Sequence, residues 1–165
     1  MLSPKRNLNS LREQLENALV SGRFDECYRI YREQSFEKIS NELLALSWKT
    51  GDIQKLPYAF VWFLLSKKEN VKLHLLGHDI LFNSLNHLPH SYELGLYHAR
   101  RLTELEPDNL HHKRIFLLYN HIPERVLGDN EAKQAAIEIL KKEPDNKVVK
   151  EQLECIESRL KTKKK

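Results

Sequence analysis

Leu102-Thr-Glu-Leu-Glu-Pro-Asp-Asn109 and Ile139-Leu-Lys-Lys-Glu-Pro-Asp-Asn146 are one punctuation written twice, 37 positions apart. Each copy ends an apolar-periodic run and breaks it at Pro. Each then offers Asp and Asn, whose short side chains accept hydrogen bonds from the first N–H groups of a following helix. The small residues upstream are in phase, Gly95 over Ala132 and Ala99 over Ala136, which lets one helix approach its neighbour closely. The two stretches predict two helix–turn–helix units in tandem.

The same helical period runs outward in both directions. Leu8, Leu11, Leu15, Ala18 and Leu19 form a stripe that Gly22 stops, and a second helix follows from Asp25 through Cys27, Ile30 and Tyr31. Ser35 is placed to cap a third, with Ile39, Leu43, Leu44 and Leu46 inward, ending near Thr50-Gly51-Asp52. Pro57 suits the first turn of a fourth, whose run Tyr58 to Leu65 is apolar on every face and predicts the most buried helix. Asn70 caps a fifth, carrying Leu73, Leu76, Gly77 and Ile80 as far as Pro89, with Gly77 packed beneath a neighbouring helix. Ser91 begins a sixth, Asp108 or Asn109 a seventh, and after a turn at Pro123–Leu127 two more helices run from Glu131 and Asp145. No segment alternates apolar and polar residues in the manner of a strand, so an all-α fold of stacked antiparallel hairpins is expected.

These features resemble the tetratricopeptide repeat family. In that family a small-residue helix ends in a Pro-Asx turn that launches the next. Gly22-Arg-Phe24, Cys27 and Tyr31 resemble the family's turn glycine, aromatic, small residue and aromatic, and Leu73, Leu76-Gly77 and Ile80 resemble its first helix. The offset is 37 rather than the family's roughly 34, Phe116 stands where no first-helix glycine precedes it, and Arg32 to Leu65 does not fit a repeat. The array is therefore expected to be irregular. The resemblance implies a concave binding groove lined by each unit's first helix. It points to Asn9, Arg12 and Glu16, then Val71, His74 and His78, then His111, Arg114 and Leu118 as partner-binding residues.

Composition bounds the rest. The chain has 165 residues, 41% hydrophobic and 30% charged, with a mean hydropathy of -0.58, as expected for a folded, water-soluble domain. Leu occurs 28 times against nine Val and Thr together, which favours helix over sheet. One domain over residues 1–160 and a basic tip over 161–165 are expected. The formal charge of +4 sits in the last ten residues, and 22 basic and 22 acidic residues balance in the body. That distribution disfavours a nucleic-acid partner, which needs positive charge on one folded face. Lys161, Lys163, Lys164 and Lys165 suit the C-terminal dipole of a frayed helix. The longest apolar run is eight residues, far below the roughly 20 of a membrane span, and the opening Met1-Leu-Ser-Pro-Lys-Arg lacks the apolar core of a secretory signal. A cytoplasmic protein without a membrane partner is expected.

Candidate chemistry is sparse. His74 and His78 stand at the i, i+4 spacing that lets two imidazoles reach one ion, but Leu75 occupies the place of the general-base Glu of a hydrolytic zinc helix. Cys27 and Cys155 form no metal knuckle and have no His nearby in sequence. There is no nucleophile elbow and no phosphate-cradling glycine loop. No cofactor, no metal and no small-molecule substrate are inferred, and the sequence is read as non-catalytic. The expected function is protein–protein interaction, in the form of a small cytosolic immunity protein that neutralises a bacterial toxin domain. The alternatives are an adaptor or scaffold subunit and, further off, a His-based metal enzyme.

Overall fold

A computed structural model describes residues 10–162. Leu8, Asn9 and the tip residues Lys163, Lys164 and Lys165 lie outside the described residues. Within them the chain forms α1 (Leu11–Val20), α2 (Phe24–Glu33), α3 (Phe36–Ser47), α4 (Leu56–Lys67), α5 (Val71–Asp79), α6 (Ser91–Leu105), α7 (Leu110–Leu118), α8 (Asp129–Lys142) and α9 (Lys147–Thr162). A 3-10 turn (Asp52–Lys55) precedes α4 and a π turn (Ile80–Ser84) follows α5. No strand occurs among the described residues, and the all-α expectation holds.

Local chemistry sets the boundaries. Ser10 and Glu13 cap α1 reciprocally, each side chain bonded to the other's backbone N–H. At its far end Gly22 adopts φ +67°, so that Gly22 N–H reaches Leu19 and Arg23 N–H reaches Ala18, closing the helix with a left-handed residue. Ser35 and Asn70 cap α3 and α5 as expected. The two Glu-Pro-Asp-Asn turns share one geometry. Asn109 Nδ2 donates to Glu106 and Asn146 Nδ2 to Glu143, both at 2.8 Å. Each Asn Oδ1 then accepts from the N–H groups opening the next helix.

The fifth helix departs from expectation. It does not continue to Pro89: α-geometry stops at Asp79 and gives way to the π turn. The wider turn inserts one residue per cycle and places Ile80, Leu81, Ser84 and Leu85 all inside. Ser84 Oγ meets Ser47 Oγ of α3 there at 2.8 Å. The fourth helix is also less enclosed than its composition suggests. Phe60, Val61 and Leu64 are core, but Trp62 is 37% exposed.

Helices α5 and α6 pack together, α7 packs between α6 and α8, and α8 packs on α9. The interior falls into two apolar clusters. One joins α1–α5 and the π turn through residues such as Leu15, Leu43, Phe60 and Leu73, and the other joins α6–α9 through Ala99, Leu117, Ala136 and Ile156. At the α5–α6 seam the polar side chains His74, His78 and His98 are buried, and His74 meets His98 across it.

Candidate functional site

Two glycines open the seam. A Cβ on Gly77 would stand 2.7 Å from His98 Nε2, and one on Gly95 would meet the Tyr119 ring. Each glycine on one helix is therefore the socket for a polar ring from the next. His98 lies between α5 and α4, with Nδ1 2.8 Å from His74 Nδ1 and Nε2 3.0 Å from Tyr58 Oη. His74 Nε2 is 2.9 Å from Glu69 Oε1. Arg101 of α6 grips both oxygens of Glu69, each at 2.9 Å, and also pairs with Glu104. A second contact joins His78 Nδ1 to Tyr119 Oη at 2.6 Å.

The proton inventory of this chain is fixed by its charged end. The Arg101 guanidinium, and then the His74 hydrogen bond, hold the Glu69 carboxyl down to about 2, so Glu69 accepts and His74 Nε2 donates. A neutral imidazole has one donor and one acceptor, which makes His74 Nδ1 the acceptor from His98 Nδ1–H and His98 Nε2 the acceptor from the Tyr58 hydroxyl. Every polar hydrogen from Tyr58 to Glu69 then has one partner, with both imidazoles neutral. Burial favours that state. It pushes His98 down to about 3, with His74 and His78 adding to the effect. It also lowers His74 against the opposing pull of Glu69.

The row Tyr58–His98–His74–Glu69 has the connectivity of an activated nucleophile, a hydroxyl on a base on an orienting group. Its acidities run the wrong way. Burial raises Tyr58 to about 12 and lowers His98 to about 3, and both shifts oppose moving the proton from Tyr58 to His98.

Beside it the surface opens into a cleft of about 270 Å³ lined by Trp62, Leu65, Ser66, Glu69, His74 and Tyr97. The Trp62 and Tyr97 rings stack with centroids 5.4 Å apart and are 37% and 40% exposed. Leu94 and Leu105 are also partly exposed on α6, at 39% and 38%, with Arg101 between Tyr97 and Leu105 on that face. A larger groove, about 350 Å³, lies between α6 and α8 over Phe116. Its charges are matched to one another, Arg100 with Glu131 and Lys113 with Glu138.

No protein-family model matches this chain, and no match was found among curated proteins or solved structures. The resemblance to tetratricopeptide repeats therefore rests on the residues that carry it, the paired Glu-Pro-Asp-Asn turns and their phased small residues.

The residues expected to line one groove are dispersed. Asn9 lies outside the described residues. Arg12 of α1 pairs with Glu42 of α3 and Glu16 with Lys49 just beyond it, each at 2.6 Å. Val71 is half-buried at the start of α5. His74 and His78, expected to face a partner, are instead buried, at 1% and 5% exposure, because the glycine sockets draw α6 and α7 rings over them. Their nitrogens also diverge, one towards Glu69 and His98 and the other towards Tyr119. Among the described residues no group of three or more His, Cys, Asp and Glu side chains could hold a metal ion. On α7, His111 and Arg114 are exposed and Leu118 is half-buried, with Arg114 held by Glu143 at 3.0 Å. Sequence reasoning passed over Trp62, Glu69, Tyr97, His98 and Arg101 as site residues. The available signal was Gly77, whose bareness announces a bulky neighbour.

Proposed function

We infer that this chain is a non-catalytic protein-binding module whose binding face is the α4–α6 surface. The observation that carries this is the stacked, exposed Trp62–Tyr97 pair at the mouth of a cleft, with Leu94 and Leu105 also partly exposed on α6. Trp and Tyr are enriched among the residues that carry interface binding energy, and here the exposed pair is bordered by charge from Glu69, Arg101 and Glu104, the polar rim such a face takes. The acidities of the buried row support the non-catalytic part. A cytosolic immunity protein that neutralises a bacterial toxin domain is the specific form we favour, with an adaptor subunit as the alternative.

Cross-linking of the purified chain to proteins of its source cells, followed by mass spectrometry, tests this. The expected result is one dominant partner joined to α4 or α6, lost when Trp62→Ala and Tyr97→Ala are combined in a chain whose helical circular dichroism is unchanged. Equal capture by the double variant overturns the face. A captured toxin whose activity the parent chain abolishes supports the inhibitor form, and a partner left fully active supports the adaptor.

A further inference from the structure

The seam between the two apolar clusters holds together by a contact that tolerates one proton and no more. The Nδ1 atoms of His74 and His98 face each other at 2.8 Å, a distance that a single hydrogen bridges and two N–H groups cannot share. A first added proton enters at His98 Nε2 with no more than a turn of the Tyr58 hydroxyl. A second must enter at His74 Nδ1, where it meets the His98 Nδ1–H head-on. Neither ring can swing aside, because His98 is pressed into the Gly77 socket and His74 is tied at its other edge to Glu69.

We propose that the α5–α6 seam is an acid-triggered opening device, in which proton uptake by the His74–His98 pair parts α5 from α6 and dismantles the Trp62–Tyr97 cleft.

The surroundings offer the added charge little relief. From the α4–α5 loop comes Glu69, already neutralised by Arg101 of α6. From α4 comes the Tyr58 hydroxyl and from α6 the Tyr97 ring, whose centroid is 6.1 Å from that of His74. Helix α5 adds His78, which disfavours a charge on His98, and Asp79, 4.0 Å from His78 Nε2. Beyond them stand His111 of α7 and Tyr119, which face His78. Both imidazoles titrate below their ordinary 6.5 because they are buried. An open seam returns them to that value, so opening takes up protons and becomes easier as pH falls below 6.5.

Hydrogen exchange of the full chain against pH, without partner, is the test. Above pH 6.5 the α5 and α6 amides should be protected as strongly as those of α8 and α9. Below it, their protection should fall by about tenfold per pH unit for each proton the open form takes up, while α8 and α9 hold. His74→Asn places an amide oxygen where His74 Nδ1 accepts and removes one titrating group, so its slope should be one proton shallower. Protection of α5–α6 that is flat with pH, that falls together with α8–α9, or that falls equally in His74→Asn overturns the proposal. Should that variant not fold, the C2-proton shifts of the parent decide: His74 and His98 must each titrate below 6.5, and titration of both near 6.5 overturns it. The consequence for the cleft rests on the binding reading above. Seam opening seen together with unimpaired capture by the Trp62/Tyr97 double variant would retain the device and reject the cleft.

Discussion

Gly77 and His98 fit as a bare backbone against a ring: a Cβ at Gly77 would lie 2.7 Å from His98 Nε2 and 2.8 Å from Cε1, closer than unbonded heavy atoms pack. The imidazole cannot yield, since its two nitrogens are engaged by His74 and Tyr58. Enlarging Gly77 therefore forces α5 away from α6. Gly77→Leu should cost about 1–3 kcal/mol in urea denaturation, whereas Gly128→Ala, with nothing within 4 Å of the added Cβ, should stay within about 0.5 kcal/mol. A neutral Gly77→Leu would mean the seam is looser than described.

Acid should weaken the fold. His78 is held down to about 4 and His98 to about 3, both by burial first, so each is neutral when folded and charges more readily when unfolded. The stability they confer is complete above pH 6.5 and declines as pH falls from there towards those values. Melting temperature should be flat from pH 7 to 8 and drop progressively below 6.5, and His78→Asn should make that drop shallower by one proton. A melting temperature that rises on acidification would reverse the sign and refute the neutral assignment.

The paired turns should be energetically alike. Asn109→Ala and Asn146→Ala each remove a cap and a bond to the preceding Glu, and each should cost about 0.5–2 kcal/mol by chemical denaturation. Widely different costs would show that the matching geometry conceals different roles.

Arg159 ties α9 to the start of α8, reaching Asp129 at 2.8 Å and Asn120 Oδ1 at 2.5 Å. Asn120 is buried, with 1% exposure, and Arg159→Leu leaves its oxygen without that donor. A loss of about 1–3 kcal/mol is expected in thermal or urea melts, and no loss would mean that another group replaces the guanidinium.

How far the sequence reveals all this depends on whether the signal is local. Ser35, Asn70, Asn109 and Gly22 act on backbone within a few positions of themselves, and their caps were legible. Gly77 and Gly95 do mark places where a neighbour comes close, but the neighbour is a side-chain ring from the next helix rather than its backbone. What fills those gaps was not legible, because His98 reaches His74 across 24 positions and Tyr119 reaches His78 across 41, and no periodicity records such a pairing. His74 and His78 carry the spacing of a surface or metal-facing pair, yet the bare Gly77 beside them admits a ring that covers them. The run containing Trp62 is apolar on all sides and reads as core, but a helix can bury only the faces its neighbours reach, and Trp62 is 37% exposed. The π turn left no signal, since Ile80 to Leu85 is equally apolar in either helical geometry.

The buried hydrogen-bond row is the centre of this account, and its direction can be read in solution. Long-range proton–nitrogen correlation spectra at pH 7.5 report which nitrogen of each imidazole carries the proton. His98 should be protonated at Nδ1 and bare at Nε2, and His74 should be protonated at Nε2 and bare at Nδ1. If both rings carry their proton on Nε2, no hydrogen bridges the two Nδ1 atoms, and the seam described here does not exist.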